Sequence, residues 1–485
     1  MLRISKDGTS RKWIILITTV MMSFMSCIDS SIVNVALPTI AKSLSVTMQS
    51  AELVVVGYIL AICATILIFG RLGDIKGKIK VFKFGMFAFT LCSLACGICN
   101  SLGLLIIFRI LQGIGAAAYM ANNQGIITQT FPKNERGKAL GILATFVALG
   151  TMLGPPLGGW IVSIASWNYI FLINVPIGII TIVLGLIILP KDKTIDEKLD
   201  TKGAVLFFTF IVLLFTSLIE SQKVGFKNPH IILSFSTSIV FGILFVIVEK
   251  KTYTPLMQLK IFKNKVFSQS LICAFISFTC INASIIILPF YLQNTLNLAP
   301  SFSGALMMIS PLIIAIVSPF SGNLSDKIGS ELPALLGLLL MSVGFGCMSS
   351  LKQTSSIINV VVFIAIIAIG QGLLQPRNNS LIMSSVPNND LGIAGSINSL
   401  VRNLGQIVGV TLATTILFNC MSYKIGYRVH DYIKGRDDVF IYGIRYIYIS
   451  LTIICFSGVF LSLLRLRSNK SKLKGWILYD GIIKK

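Results

Sequence analysis

The sequence predicts an all-α polytopic membrane protein, and three observations on its 485 residues lead to this fold class. The mean hydropathy is +0.85 and 54% of the residues are hydrophobic, which is unusual for a soluble domain. Apolar runs of about eighteen residues or more recur along the chain, and each can cross a hydrocarbon core as a helix. The runs are continuous rather than alternating, which excludes a membrane barrel.

Fourteen membrane-spanning helices are predicted from these runs. The first run is retained as a span because it is too long for the apolar core of a cleaved signal peptide and lacks a convincing cleavage site. An even number of spans places both termini on one side of the membrane. The predicted spans are 13–36, 50–70, 81–99, 102–126, 139–163, 168–189, 203–221, 230–249, 269–292, 303–322, 333–350, 356–380, 392–418 and 443–465.

The formal net charge of +23 follows the membrane topology. Basic residues concentrate in alternate connections, at 71–83, 133–138, 191–202 and 250–265, whereas the connections between them carry few. This is the positive-inside pattern, which places the basic loops and both termini in the cytoplasm and the chain in the cytoplasmic membrane. Because the charge is explained in this way, nucleic acid is not predicted as a partner.

Two short charged loops indicate an internal duplication. Gly70–Lys80 reads GRLGDIKGKIK and Gly322–Glu331 reads GNLSDKIGSE, so each carries Gly-x-Leu-x-Asp with a glycine three residues after the acid. Two further echoes recur at nearly the same offset, namely Gln112-Gly113 with Gln371-Gly372 and Leu149-Gly150-x3-Gly154 with Leu404-Gly405-x3-Gly409. Each pair has the same expected sidedness, which favours parallel repeats related by an axis along the membrane normal.

Six spans in each half leave two spans over, and these lie between the halves without an echo. We therefore predict an N-terminal six-helix bundle over 1–190 and a two-helix insertion with cytoplasmic linkers over 191–265. A C-terminal six-helix bundle follows over 266–465, and a basic cytoplasmic tail over 466–485. The polar connection 419–442 is predicted to be a long outer loop, either a lid or an ordered segment.

Asp29, inside the first span, is the main candidate for proton coupling. A carboxylate within a membrane helix costs about 2.5–3.5 kcal/mol on insertion scales, so it needs a partner, a wet cavity or a proton. Arg109 in the fourth span cannot lose its proton and is the natural partner of such a group. Glu52 is a further candidate for proton coupling. Arg402, in the thirteenth span, is a second arginine within a membrane helix. Purely structural roles remain open for each.

Two loop and glycine patterns indicate conformational change. The Gly70 loop is interpreted as a cytoplasmic latch between helices that forms and breaks as the halves rock, although a solvated topogenic loop is the alternative. The segment LGTMLGPPLGGWI in the fifth span combines small residues for close helix packing with prolines that permit a bend. The predicted latch residues are Gly70, Asp74, Gly77, Lys78, Asp326 and Lys327, and the glycine segment contributes Gly150, Gly154, Pro155, Gly158 and Gly159.

These motifs resemble those of the major facilitator superfamily. The Gly70 loop is similar to that family's loop between spans two and three, but it departs at Ile75 and Ile79, where the family usually has bases. Arg109, with the residues that follow it, resembles the family's proton-transfer motif in span four, and the span-five segment resembles its antiporter motif. Asp29–Pro38 and Phe171–Gly178 look like the fourteen-spanner drug–proton antiporters.

The resemblance implies the major facilitator fold, two six-helix bundles plus two inserted central helices. We expect a proton-coupled multidrug efflux antiporter, a monomer that exports small amphipathic or cationic compounds by alternating access. The alternatives are an exporter of one specific metabolite, lipid or peptide, and a transport-inactive sensor. A cavity between spans one, four, nine and twelve is the expected substrate site, with Met25, Asn34, Gln112, Tyr119, Asn122, Asn282 and Gln375 as candidate contacts.

Other classes are disfavoured by missing motifs. An ATP-driven pump is not predicted because no Gly-x4-Gly-Lys-Ser/Thr loop occurs. The two histidines, His230 and His430, and the lack of paired acids or a nucleophile motif argue against an enzyme. The ten cysteines lie mostly in apolar runs without metal-site spacing, so neither a metal nor a cofactor is expected.

Overall fold

A computed structural model describes residues 8–132, 135–190, 192, 197–224, 228–328, 331–386, 391–429, 431–433 and 435–483. The described part is helical and contains no strand. Fourteen of its helical segments are long and apolar enough to cross a membrane, which confirms the all-α polytopic class.

The helices follow the predicted apolar runs, with the sixth and tenth spans each built from two consecutive helices. They are α1 (Gly8–Ser43), α2 (Met48–Lys76), α3 (Lys78–Ile98), α4 (Leu102–Thr130), α5 (Arg136–Ile164), α6 (Tyr169–Leu172), α7 (Asn174–Ile188), α8 (Thr201–Val224), α9 (Pro229–Lys251), α10 (Lys265–Phe290), α11 (Pro300–Met307), α12 (Ile309–Ile328), α13 (Glu331–Met348), α14 (Ile357–Ser384), α15 (Leu391–Ile425) and α16 (Asp437–Ile483).

Local capping explains where several of these helices begin. The side chains of Thr47, Ser101 and Ser356 accept hydrogen bonds from the first backbone N–H groups of α2, α4 and α14. Asn264 does the same for α10. Such caps satisfy donors that the helix itself leaves unpaired. The start of each of these four helices is therefore set by a short polar residue that precedes the apolar run.

Successive spans run in opposite directions, so the bundle has two ends. We call the end at which α2 passes into α3, α4 into α5 and α7 into α8 the basic face, after the lysines in and beside these connections in the sequence, and the other end the opposite face. Contacts between non-neighbouring helices agree with this arrangement. Arg11 of α1 donates to the carbonyl of Ile188 in α7 at the basic face, and Trp167 donates to Ser43 at the opposite face.

Two glycine contacts occur in the same form in both halves of the chain. A Cβ on Gly150 of α5 would lie 2.6 Å from the carbonyl oxygen of Phe24 in α1. In the C-terminal half, a Cβ on Gly405 of α15 would lie 2.9 Å from the carbonyl oxygen of Phe275 in α10. The echoed Leu-Gly-x3-Gly segments thus bring equivalent helix pairs together.

A second pair of contacts repeats between the third and fourth spans of each half. Gly85 of α3 packs on the backbone of Gly115 in α4, and a Cβ on Gly85 would lie 2.7 Å from its carbonyl oxygen. Gly337 of α13 packs in the same way on Gly370 of α14, at 2.5 Å. The duplication inferred from the charged loops is therefore repeated in the packing of the helices.

The inserted helices α8 and α9 pack mainly on each other. Phe207 and Phe245 lie between them with ring centroids 5.2 Å apart. Beyond this pairing, α8 contacts α2 of the first half and α15 of the second. The insertion is thus a helical hairpin that lies beside both bundles rather than within either.

The outer connection is shorter than predicted. Helix α15 continues to Ile425 and α16 begins at Asp437, so the loop covers residues 426–436 rather than 419–442. The polar and aromatic residues beyond the apolar run continue the helices instead of ending them. In the loop, Asp431 accepts a hydrogen bond from the backbone N–H of Met48, the first residue of α2, at 3.2 Å. The loop therefore links the second half to the first.

Candidate functional site

Asp29 and Arg109 form a buried ion pair within the N-terminal half. Nη1 of Arg109 lies 2.6 Å from Oδ2 of Asp29, and the two side chains are 1% and 0% exposed, respectively. Arg109 also donates from Nε to the carbonyl of Val54 at 3.1 Å, and its guanidinium lies 4.1 Å from the ring centroid of Tyr58. The arginine therefore joins α1, α2 and α4, and it stands beside the acid that the sequence pairs it with.

Two amide side chains complete the coordination of the Asp29 carboxylate. Asn174 of α7 donates to Oδ1 at 2.8 Å, and Gln112 of α4 donates to the same oxygen at 3.2 Å. Gln112 also donates to the hydroxyl of Ser93 in α3 at 2.6 Å and accepts from Arg109 at 2.7 Å. Both carboxylate oxygens thus have donors, and the network connects α1, α3, α4 and α7.

Ser93 and Asn174 are members of this network that sequence reasoning missed. Asn174 lies in the segment FLINVPIG, and an amide inside an otherwise apolar run is the one signal that could have found it. Ser93 carries no such signal, because isolated serines are common in membrane helices.

The chemistry of the pair is asymmetric. Arginine keeps its proton in proteins, whereas a carboxylate that loses its partner can be neutralised by a proton. Protonation of Asp29 would remove the negative charge beside the Arg109 guanidinium, whose other contacts, to Gln112, the Val54 carbonyl and the rings of Tyr58 and Phe171, are all uncharged. Because an uncompensated buried charge is costly, a proton on Asp29 would favour a rearrangement of the four helices that the network connects.

Glu52 is buried at a different place, near the start of α2. It is 3% exposed, and its side-chain partner Thr414 belongs to α15 of the other half. Its Oε2 atom is buried without a hydrogen-bond partner. The structure thus places Glu52 at the contact between the two halves and does not bring it into the Asp29 network.

The segment Gly70–Lys80 is not the loop that the sequence predicted, because α2 continues to Lys76 and α3 begins at Lys78, which leaves only Gly77 between them. We keep the name Gly70 loop for this junction, which is held by the linker that follows α7. Lys78 pairs with Asp74 one turn earlier. Asp192 accepts hydrogen bonds from the backbone N–H groups of Ile79 and Lys80, both at 2.8 Å, and so caps α3. Gly77, with φ of +103°, lies directly against the Asp192 carboxylate, where a side chain would collide. The sequence did not single out Asp192, because an acid in a basic linker reads as solvated charge.

A second ion pair joins the same linker to α2, between Glu197 and Arg71. Gly70 has a looser environment, since a Cβ there would meet only Ala121 at 3.8 Å. Residues 322–328 continue α12 to the basic face, on the same side as Asp74. The side chains of Asp326 and Lys327 lie outside the described residues, so their part in the predicted latch stays a prediction.

Removal of the Asp192 cap gives a testable result. Asp192→Ala is expected to lower the free energy of unfolding by about 1 kcal/mol, the usual effect of losing a helix cap. Gly77→Ala should cost more, because it combines a positive φ with a collision against the same carboxylate. Thermal unfolding of the purified protein measures both, with the exposed linker residue Lys198→Ala as the control. An Asp192→Ala protein as stable as the control would contradict the capping role.

The glycines of the span-five segment contact two different partners. Gly154 and Gly158 face α1, where added side chains would collide with Ser31 and Ile32, respectively. Gly159 faces the other half instead, since a Cβ there would collide with the carbonyl oxygen of Pro300 at the start of α11. In return, Gly304 of α11 packs on the backbone of Pro155. The segment therefore forms a close contact between the halves near the opposite face.

Comparison with known proteins identifies the family. The family model described as the Major Facilitator Superfamily matches residues 19–410, most of the chain. The chain belongs to the Major Facilitator Superfamily. The fourteen candidate spans found in the described part of the chain fit the fourteen-spanner branch of this superfamily.

Relatives and a solved structure agree with this assignment. The chain is 34% identical to the riboflavin transporter RibZ of Clostridioides difficile, over 94% of this chain and 98% of that protein. It is 30% identical to the multidrug resistance protein Stp of Mycobacterium tuberculosis, over 83% of this chain and 75% of that protein. A peptide transporter POT, crystallised with sulfate, superposes with a TM-score of 0.66 at 16% identity, over 93% and 98% of the two chains. The protein is thus a multi-pass membrane protein of a transporter superfamily, and the family and these relatives are transporters rather than enzymes.

The residues predicted to contact the substrate divide into two groups. Met25, Gln112, Tyr119 and Asn122 are enclosed in the N-terminal half, each with at most 1% of its surface exposed. Asn122 donates to the carbonyls of Phe69 and Ala118 and so fastens α4 to α2. The half-buried candidates are Asn34, Asn282 and Gln375. Substrate contact by either group stays a prediction.

Proposed function

We propose that the protein is a proton-coupled antiporter that exports small amphipathic compounds across the cytoplasmic membrane. The observation that carries this proposal is the buried Asp29–Arg109 pair, a titratable acid held in the interior of a membrane bundle by a cation that cannot be neutralised. Intramembrane ionisable groups of this kind commonly serve proton relays. Both termini would lie in the cytoplasm, in keeping with the basic connections, and the monomer would be the working unit.

Alternating access would use the repeated halves. In the proposed cycle, a proton that neutralises Asp29 releases Arg109 and favours one arrangement of the halves, while substrate favours the other. The close contact of Gly159 with Pro300 would open in the state that releases substrate at the opposite face. The Gly70 loop and its linker would act as a latch at the basic face.

The experiment follows proton movement in proteoliposomes that contain a pH-sensitive dye. Addition of a transported compound to the wild-type protein should drive protons in the opposite direction. Asp29→Asn should abolish this movement while compound still exchanges down its own gradient. The double variant Asp29→Asn, Arg109→Gln removes both charges and should show the same loss in a more stable background. Glu220→Gln, at an exposed acid of α8, is the matched control. Proton movement that persists in both Asp29 variants would overturn the proposal.

A transporter for a single metabolite is the second candidate, and the identity to RibZ over nearly the whole of both chains favours it. Competition between compounds for transport distinguishes a multidrug exporter from a transporter for a single metabolite. A multidrug exporter should let many unrelated compounds compete with one another for transport, and cells that express it should resist several of them. A dedicated transporter should respond to one compound and its close analogues.

A further inference from the structure

Arg402 of α15 is a cation inside the membrane bundle without a described carboxylate partner. It lies eleven residues after Leu391, which is about 17 Å along the helix axis. The side chain is half-buried, and its Nε atom is buried without a hydrogen-bond partner. Helix α15 also contacts α2 and α4 of the N-terminal half. Arg402 therefore lies on a helix at the boundary between the two halves.

An amide side chain lies one turn to either side of Arg402 along α15. Asn398, Arg402 and Gln406 are spaced four residues apart on α15 and share one side of the helix. We call these three residues the polar stripe, and all of them are half-buried. Asn398 donates to Asn379 of α14 at 3.1 Å, while its own carbonyl oxygen is buried without a partner.

The polar stripe faces the N-terminal half. One turn before Asn398, the Cβ position of Gly395 lies 3.0 Å from Oε1 of Gln124 in α4. Helix α15 contacts α2 and α4 of that half. The stripe thus lies close to the boundary along which the halves move in alternating access.

The other intramembrane acids do not neutralise Arg402. Asp29 is committed to Arg109, Gln112 and Asn174 inside the N-terminal half. Glu52 meets α15 at Thr414, which is twelve residues beyond Arg402 and therefore about 18 Å farther along the helix. The charge of Arg402 is thus uncompensated by these two acids, although an arginine at this depth is costly to insert.

We propose that Arg402 anchors the transported compound through a planar group with two adjacent acceptor oxygens that bears negative charge, a carboxylate in the simplest case. The guanidinium presents a rigid fork of donors that matches such a group, and Asn398 and Gln406 supply further donors on either side. This inference rests on the proposed export function and narrows its substrates to amphipathic organic anions, in place of the amphipathic or cationic compounds expected from the sequence.

Binding to the purified full-length protein in lipid nanodiscs tests this without any proton gradient. The two probes are carboxyfluorescein, an anion, and ethidium, a cation, both followed by fluorescence anisotropy. Wild-type protein should bind carboxyfluorescein, and Arg402→Gln should weaken this binding about tenfold or more, as expected for the loss of a charge-assisted bidentate contact. Arg402→Lys should weaken it less, because the charge remains and only the fork is lost. Arg445→Gln, at an exposed arginine of α16, should change neither probe.

Three results would overturn the proposal. The first is a wild-type protein that fails to bind carboxyfluorescein and a panel of related aromatic carboxylates, whether or not it binds ethidium. The second is unchanged carboxyfluorescein binding in Arg402→Gln. The third is an equal loss for both probes in that variant at unchanged thermal stability. Because no proton is moved in this assay, its failure would leave the proton-coupling test on Asp29 unaffected, and the reverse also holds.

Discussion

Asp29→Asn is expected to lower the free energy of unfolding by about 3–5 kcal/mol, the effect of removing one partner of a buried ion pair. The amide that replaces the carboxylate can keep much of the hydrogen bonding to Gln112 and Asn174. The destabilisation therefore comes mainly from the charge of Arg109, which is left uncompensated. That arginine cannot shed its proton and lies in a region where its side chain is 1% exposed.

Arg109→Gln should cost less than Asp29→Asn, because Asp29 can take up a proton once its partner is absent. The double variant should recover much of the loss, because no unpaired charge remains. Thermal unfolding of the three variants in detergent, with the wild type alongside, measures this order. Equal destabilisation by both single changes, without recovery in the double variant, would contradict the account of the pair as a charge-compensated unit.

Gly159→Leu is expected to reduce transport by about tenfold or more while leaving the bundles folded. The added side chain would enter the contact between α5 and α11, where even a Cβ meets the Pro300 carbonyl oxygen. Since interiors pack closely and overpacking forces the backbone to shift, the two halves would be held apart near the opposite face. Gly304→Leu, on the other side of the same contact, should act alike.

The measurement combines transport rate with a distance between the halves, taken from spin labels on the opposite-face ends of α5 and α11. Gly103→Leu is the control, because a Cβ on that glycine meets nothing within 4 Å. Gly154→Leu provides a contrast, since it would collide with Ser31 inside one half and should destabilise that half instead. A Gly159→Leu protein with normal transport and an unchanged distance would show that this contact does not need to close.

The number and order of the membrane spans could be predicted because each depends on a continuous run of apolar residues, and lipid imposes that requirement directly. The division of the sixth and tenth spans into two helices each was not predicted. The pairing of Asp29 with Arg109 was predictable for a related reason, since an isolated charge in such a run demands a partner. The roles of Ser93 and Asn174 in the network were not predictable, because a neutral polar side chain costs little free energy to insert into the membrane on its own. Their importance appears only when the fold brings α3 and α7 beside α1.

The outer loop and the Asp192 cap could not be predicted from the sequence for a different reason. Both depend on long-range contacts of polar groups near the membrane surface, where water can satisfy any of them and the sequence expresses little preference. Loop 426–436 is held in part by Tyr432, whose hydroxyl bonds to Asp437. Burial and this hydrogen bond raise the pKa of Tyr432 above its usual range. No pattern in the sequence predicts this contact between Tyr432 and Asp437.

The helical hairpin of α8 and α9 has a practical consequence. Because α8 touches both α2 of the first half and α15 of the second, a change in the angle between the bundles must slide it past at least one of these neighbours. An environment-sensitive fluorophore on an outward residue of α8, such as Val205, would register each turnover from outside the route that the cargo takes. The two extra helices would then make it possible to watch single molecules work without a labelled ligand.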